Sequence, residues 1–156
     1  MKVLAYNKRA NFDYEISEKI EAGLVLFGHE VKSIKTGHVS LKGSFVTVKQ
    51  GDGKISEIIL TNAHIPKYQQ ATKVNNYDPD RPRKLLLHKN EIKKLIGKRK
   101  EQGLTLIPIK IYTKRGLIKL EFGIGRGKKK YDKREDIKKK DIEKQKRSTL
   151  KLKKRI

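Results

Sequence analysis

Leu104-Thr105-Leu106-Ile107-Pro108-Ile109-Lys110-Ile111-Tyr112-Thr113-Lys114-Arg115-Gly116-Leu117-Ile118-Lys119-Leu120-Glu121-Phe122-Gly123-Ile124 reads as two strands joined by a tight turn. Strand side chains alternate between faces, which places Thr105, Ile107, Ile109 and Ile111 together and Ile118, Leu120, Phe122 and Ile124 together. The link Lys114-Arg115-Gly116 is hairpin-short. Upstream, Ser44–Gln50 and Ile55–Ala63 form a second predicted hairpin, turned by Gly51-Asp52-Gly53, whose residues accept positive φ. A helix is predicted over Glu91–Ile96, with a polar start at His88 and Gly97 near its end.

Towards the N-terminus, Phe12, Tyr14, Ile16 and Ile20 alternate with polar neighbours as a half-buried strand, with a bend or edge at Glu18. Gly23-Leu24-Val25-Leu26-Phe27-Gly28 is expected to be a short buried strand. Glu30–Lys35 is a short helical segment with Val31 and Ile34 on one face and Gly37 as its stop. Residues 66–84 hold few apolar side chains and two prolines, Pro79 and Pro82, and read as a long surface loop. Hairpins around one interposed helix predict a mainly β fold with short helices, an oligonucleotide-binding (OB) type barrel over residues 1–125.

Residues 126–156 differ in kind. They hold sixteen Lys or Arg against five Asp or Glu, whereas the first 125 residues hold twenty-four against twelve. Ile137, Ile142, Leu150, Leu152 and Ile156 are too few and too badly spaced to build a core. Glu135, Asp136 and Glu143 each stand four residues before a base, the favourable order for helical pairs, each worth about 0.2–0.5 kcal/mol. Such sums do not offset helix nucleation and lysine self-repulsion. The expectation is a basic tail that is disordered when free and helical when bound.

The formal charge of +23 over 156 residues points to a polyanionic partner. The longest apolar run, Leu24–Phe27, has four residues, far short of a spanning helix. The tail lacks an apolar stripe for lying on a lipid surface. The start, Met1-Lys2-Val3-Leu4-Ala5-Tyr6-Asn7, is too soon polar for a signal peptide, so a cytoplasmic protein is expected. Without cysteine there is neither a disulfide framework nor a thiolate metal site. His29, His38, His64 and His88 are scattered, no carboxylate pair is placed for acid–base work, and no metal, cofactor, small-molecule substrate or catalysis is expected. Gly123-Ile124-Gly125-Arg126-Gly127 lacks the spacing of a phosphate loop and reads as a flexible strand exit, with Gly125 and Gly127 freeing the tail.

Nucleic-acid binding has better raw material. Lys32 and Lys35 lie about one helical turn apart, away from Val31 and Ile34. Asn7-Lys8-Arg9 precedes the first alternating segment, and Arg81, Arg83 and Lys84 crowd the long loop. Tyr131 sits inside the basic run, where an aromatic ring can stack on an exposed base.

Asn7-Lys8-Arg9-Ala10, Glu21-Ala22-Gly23-Leu24, Glu30-Val31-Lys32-Ser33 and Asp78-Pro79-Asp80-Arg81-Pro82-Arg83-Lys84-Leu85-Leu86-Leu87 resemble, in order, the signatures of the SmpB family, which binds SsrA RNA (transfer-messenger RNA, tmRNA). Gly103-Leu104-Thr105 with Pro108, and Gly127-Lys128-Lys129-Lys130-Tyr131-Asp132-Lys133-Arg134, extend the resemblance over about residues 5–140. It implies an OB-type barrel with an unstructured C-terminal tail, and a role in trans-translation, the rescue of stalled bacterial ribosomes. The barrel would grip the tRNA-like domain of the RNA, through Asn7, Glu21, Glu30, Lys32, Leu86 and Lys119. The tail would enter the empty messenger channel of the small subunit and fold there, with Lys128, Lys129, Tyr131, Asp132, Lys133 and Arg134 at the decoding centre and its ribosomal RNA. Where members of the family often carry Tyr-Trp, this chain has Tyr112-Thr113. Glu21 repels phosphate, so an RNA role needs hydrogen bonds to a base edge or ribose hydroxyl; the alternative is a structural partner for a nearby lysine. Glu30 carries the same alternative, and Leu86 that of a core residue beside Leu85 and Leu87. Two rival roles are a permanent ribosomal protein with a basic extension and a general single-strand binder.

Overall fold

The computed structural model describes residues 1–49, 56–68, 76–99 and 103–153. Its elements are β1 (Lys2–Tyr6), α1 (Ala10–Asp13), β2 (Tyr14–Leu24), α2 (Gly28–Lys35), β3 (Phe45–Lys49), β4 (Glu57–Thr61), β5 (Arg83–Leu86), α3 (Lys89–Arg99), β6 (Leu104–Lys114), β7 (Leu117–Gly127) and α4 (Lys130–Lys153). All the strand pairings are antiparallel. They run in the order β1-β6-β3-β4-β5-β2-β7, and β7 also pairs with β6, which closes the strands into a barrel-like ring. The mainly β barrel is therefore observed, with α3 interposed between β5 and β6; the tail, expected to be disordered when free, is instead the 24-residue helix α4.

The β6–β7 hairpin is its backbone. Lys114 pairs with Leu117, so the loop is Arg115-Gly116, and both residues have positive φ, 51° and 79°. That is the mirror-image turn whose twist suits a two-residue hairpin. Ile118, Leu120, Phe122 and Ile124 all face the main core, with Ile34, Ile58, Leu60, Ile65 and Ile111 fully buried around them.

On β6 the expected single face breaks in two. Register shifts between Pro108 and Lys110, a bulge that changes which side the following residues face. Leu106 and Ile111 therefore reach the main core, while Ile107 and Ile109 pack outside it with Ala10 of α1, beside Tyr14 and Ile16. Pro108 has no N–H to give to a ladder, and a bulge is where a strand tolerates it. The bend expected near Glu18 is present as a second register shift, between Ile16 and Glu18 on β2.

Other expectations change. Phe12 lies in α1, not in a strand, and β2 ends at Leu24, so Val25-Leu26-Phe27 is not a buried strand. Val25 is 45% exposed and Phe27 53%. Phe27 instead starts α2: Glu30 Oε2 reaches back to accept the Phe27 N–H at 2.7 Å. Gly37 ends that helix with φ of 89°, as expected. Gly97 does lie near the end of α3, which runs from Lys89 to Arg99.

Gly123 and Gly125 lie within β7 and not in a flexible exit. Held between β2 and β6, each is closely covered: a Cβ on Gly125 would stand 2.5 Å from the Glu15 carbonyl oxygen, and one on Gly123 would stand 2.6 Å from Ile16 Cγ2. The predicted Gly51-Asp52-Gly53 turn and the middle of the 66–84 loop fall outside the described residues.

Candidate RNA-binding site

Three of the expected side chains converge. Glu21 on β2, Leu86 on β5 and Lys119 on β7 line one groove of about 840 Å³, bounded on its other side by α3 through Glu91, Lys94, Leu95 and Lys98. β2 lies between β5 and β7 in the sheet, so Gly23 pairs with both Leu86 and Lys119. The absence of a side chain on Gly23 leaves Leu86 room to lean over it. Leu86 is 54% exposed and is not core; Leu117, at the same groove, is 63% exposed.

The Glu21 carboxylate is held on several sides. It accepts a hydrogen bond from the Tyr112 hydroxyl at Oε2, sits 3.0 Å from Lys114 Nζ, and sits 3.6 Å from Lys119 Nζ. The Tyr112 and Lys114 hydrogen bonds, assisted by the lysine charges and only partly opposed by burial, lower its pKa from 4.5 to about 2. Burial and the adjacent carboxylate push the Tyr112 hydroxyl up in turn. Glu21 thus partners lysines, the structural alternative, and lies at an open groove. Sequence reasoning missed the part played by Tyr112 and Lys114, which share one face of β6 but show their use only once Glu21 is placed opposite them.

Glu30 and Arg83 require a correction. Both are completely buried, so neither presents a side chain to RNA. Glu30 Oε1 accepts from Arg81 Nε at 2.8 Å and Arg83 Nε at 2.9 Å, and Oε2 accepts from the Arg81 terminal nitrogen at 2.5 Å. Arg83 also donates to the carbonyls of Ala63 at 2.6 Å and Pro79 at 2.8 Å, and to the Tyr77 hydroxyl at 2.9 Å. Burial alone would raise the Glu30 carboxyl; the arginines, the Phe27 N–H and Tyr77 outweigh it and hold the group below its ordinary value. The network staples α2 to the segment leading into β5. Arg83 therefore does not belong to a surface loop, because it opens a strand whose alternate side chains point inward.

Lys32 and Lys35 are exposed on α2, as expected, with the Lys32 ammonium 6.0 Å from the centre of the Tyr68 ring. Beside them Arg81 stacks over Phe27 at 4.1 Å. Asn7, Lys8 and Arg9 line a second groove with Lys42 and Phe45. Asn7 itself stitches the chain to the β6 bulge: its Nδ2 donates to the Pro108 carbonyl at 2.9 Å and its backbone N–H to that of Ile109 at 2.7 Å. Lys8 and Arg9 are exposed.

The tail residues adjoin that corner. The Lys128 N–H donates to the Asp13 carbonyl at 2.8 Å, and the Lys133 ammonium pairs with the Asp13 carboxylate at 2.8 Å. Lys128 Nζ pairs with Asp136 at 2.6 Å, and the Lys140 ammonium lies over Phe12. Asp132 caps α4 by accepting the Lys129 N–H at 3.2 Å. Tyr131 is 70% exposed, and Arg134 is exposed. Of the expected four-apart pairs, Glu143–Arg147 forms, at 2.6 Å. No helix among the described residues is long and apolar enough to cross a membrane.

Comparison with known proteins agrees with this architecture. Residues 4–152 match the model of a family described as SmpB protein. An SsrA-binding protein from Anoxybacillus flavithermus is 55% identical, the match covering 92% of this chain and 90% of that one. One from Thermosipho melanesiensis is 53% identical over 97% and 99%, and one from Bacillus subtilis 50% over 92% and 88%. A solved structure described as "tmRNA-SmpB: a journey to the center of the bacterial ribosome" aligns with a TM-score of 0.63 and 48% identity, over 80% of this chain and 84% of that one. A match spanning nearly the whole chain, together with relatives above half identity, establishes that this chain belongs to the SmpB protein family.

Proposed function

We propose that this chain is a non-catalytic adapter that binds SsrA RNA (tmRNA) and brings it to stalled ribosomes in the bacterial cytoplasm. The observation that carries this reading is the agreement of SsrA-binding relatives over nearly the full length with a barrel bearing an open groove and exposed cations. In this reading the barrel, residues 1–125, recognises the tRNA-like domain. Glu21, Leu86 and Lys119 act in the groove, and Lys8, Arg9, Lys32 and Lys35 on the adjoining surfaces. Asn7, Glu30 and Arg83 act indirectly, by fixing the backbone that carries those groups.

The tail, residues 126–156, is the ribosomal part. Lys128, Lys129, Lys133 and Arg134 meet the phosphates of small-subunit RNA, and Tyr131 offers a ring for stacking. Asp132, as helix cap, sets where α4 begins. A tail that neutralises about six phosphates gives a log–log salt slope near −4 to −5.

A competition assay tests the reading. Full-length chain and a version ending at Lys129, which keeps all of β7, are titrated with the tRNA-like domain of SsrA RNA against tRNA and homopolymer. Selective binding that survives truncation is expected. Selectivity that is absent, or that disappears with the tail, overturns it in favour of a general basic protein.

A further inference from the structure

Four tail cations, Lys128, Lys129, Lys133 and Arg134, are assigned to ribosomal phosphate above, and the fold treats them unequally. Lys129 and Arg134 are exposed. Lys128 and Lys133 are already engaged within the chain. The Lys133 ammonium pairs with the Asp13 carboxylate at 2.8 Å, and Lys128 Nζ donates to Asp136 at 2.6 Å and to the Asn11 carbonyl at 3.0 Å. Lys140 adds its ammonium over Phe12, 5.3 Å from the ring centre. Asp136 and Lys140 follow Lys133 by three and seven residues, hence on one face of α4. That face and Lys128 are together applied to Asn11, Phe12 and Asp13 of α1. Both pairs at the root are partly buried, unlike the solvated Glu143–Arg147 pair, so water and salt weaken them less.

A carboxylate that holds a lysine ammonium occupies the place a phosphate oxygen would take. A lone RNA strand offers one phosphate in exchange for one carboxylate and gains little by the trade. A channel with phosphates on several sides offers each lysine more than the acid it leaves. We propose that this contact is an autoinhibitory latch: Asp13 holds Lys133 and Asp136 holds Lys128, so that the free chain withholds both lysines from stray RNA and yields them where phosphates surround the tail. The bond from the Lys128 N–H to the Asp13 carbonyl involves neither side chain, so it survives the exchange and serves as the pivot. The destination of the released lysines rests on the functional reading above; the latch itself is a property of the free chain.

The test titrates the full chain with a polyuridylate oligonucleotide, a strand with no fold to recognise. Asp13→Asn releases Lys133 and is expected to tighten binding about fivefold, the equivalent of a partly buried ion pair. It should also steepen the log–log salt slope by about 0.7, the increment of one further phosphate on a single strand. Asp141→Asn removes the same charge from an exposed position of α4, and is expected to tighten binding less than about twofold with the slope unchanged. The double variant Asp13→Asn, Lys133→Gln has the net charge of the unaltered chain and is expected to bind as that chain does. Equal gains from Asp13→Asn and Asp141→Asn, or a gain that persists without Lys133, overturn the latch. Amide hydrogen exchange on the unaltered chain tests it without any variant: residues 131–140 should be better protected than 143–150, and equal exchange along α4 overturns it. Failure of the unaltered chain to bind ribosomes with an empty messenger channel is a separate result, which removes the functional reading and leaves the latch standing.

Discussion

Glu30 and Glu21 are built from the same parts and do different work. Each is a carboxylate bonded to a tyrosine hydroxyl and flanked by two cations: Tyr77, Arg81 and Arg83 for one, Tyr112, Lys114 and Lys119 for the other. The first is sealed in the interior with arginines, whose planar forks satisfy several carbonyls at once. The second stands at the edge of a groove with lysines, which remain partly hydrated and can be shared with a ligand. Composition alone does not separate a structural carboxylate from a functional one; burial and the type of cation do.

The contrast is broken most severely at Arg83. Arg83→Met leaves the buried Glu30 charge with Arg81 as its remaining cation and takes from the Ala63 carbonyl its arginine donor, so a loss of about 3–5 kcal/mol is expected in urea unfolding. Replacing both partners with apolar residues should recover part of that loss. Tyr77→Phe removes one hydroxyl from the sealed network and is expected to cost about 1–3 kcal/mol, measured the same way. Its counterpart Tyr112→Phe leaves a half-open carboxylate that two lysines and water still reach, and should cost about 1 kcal/mol or less.

The smallest effect is in pH. Because the folded Glu21 pKa, about 2, lies below its ordinary 4.5, its contribution to stability is complete above 4.5 and is lost as pH falls towards 2. Glu30 has the same sign. Thermal melts across that window should show a shallower acid decline for Tyr112→Phe, because its Glu21 begins closer to the unfolded value.

The hairpin, α2 with its Gly37 stop, and the start of α3 at His88 were legible in the sequence, because each depends on neighbours a few residues away. The β6 bulge was not. Whether Ile107 and Ile109 join the main core depends on how β6 registers against β7 and on Asn7, a hundred residues upstream, which grips the Pro108 carbonyl. Arg83 was misread for a related reason. Its burial depends on Glu30, and two arginines beside prolines otherwise look like a loop surface. In the candidate site, Glu21, Leu86 and Lys119 were named from the family resemblance, and folding brings them to one groove. Tyr112 and Lys114 were missed because a tyrosine and a lysine on a strand carry no signal until a carboxylate is seen opposite.

Asp13 has a mechanical consequence. Helix α4 has 24 residues, so it forms a rod about 36 Å long, at about 1.5 Å per residue. Its root is fastened to Asp13 through both the backbone carbonyl and the carboxylate. A tilt of about 10° at that root would carry the far end through about 6 Å, roughly the span of one nucleotide. The single turn of α1 therefore sets the bearing of the whole rod, through Asp13 and through Phe12 beneath Lys140, and the way the barrel is seated decides where its tip arrives.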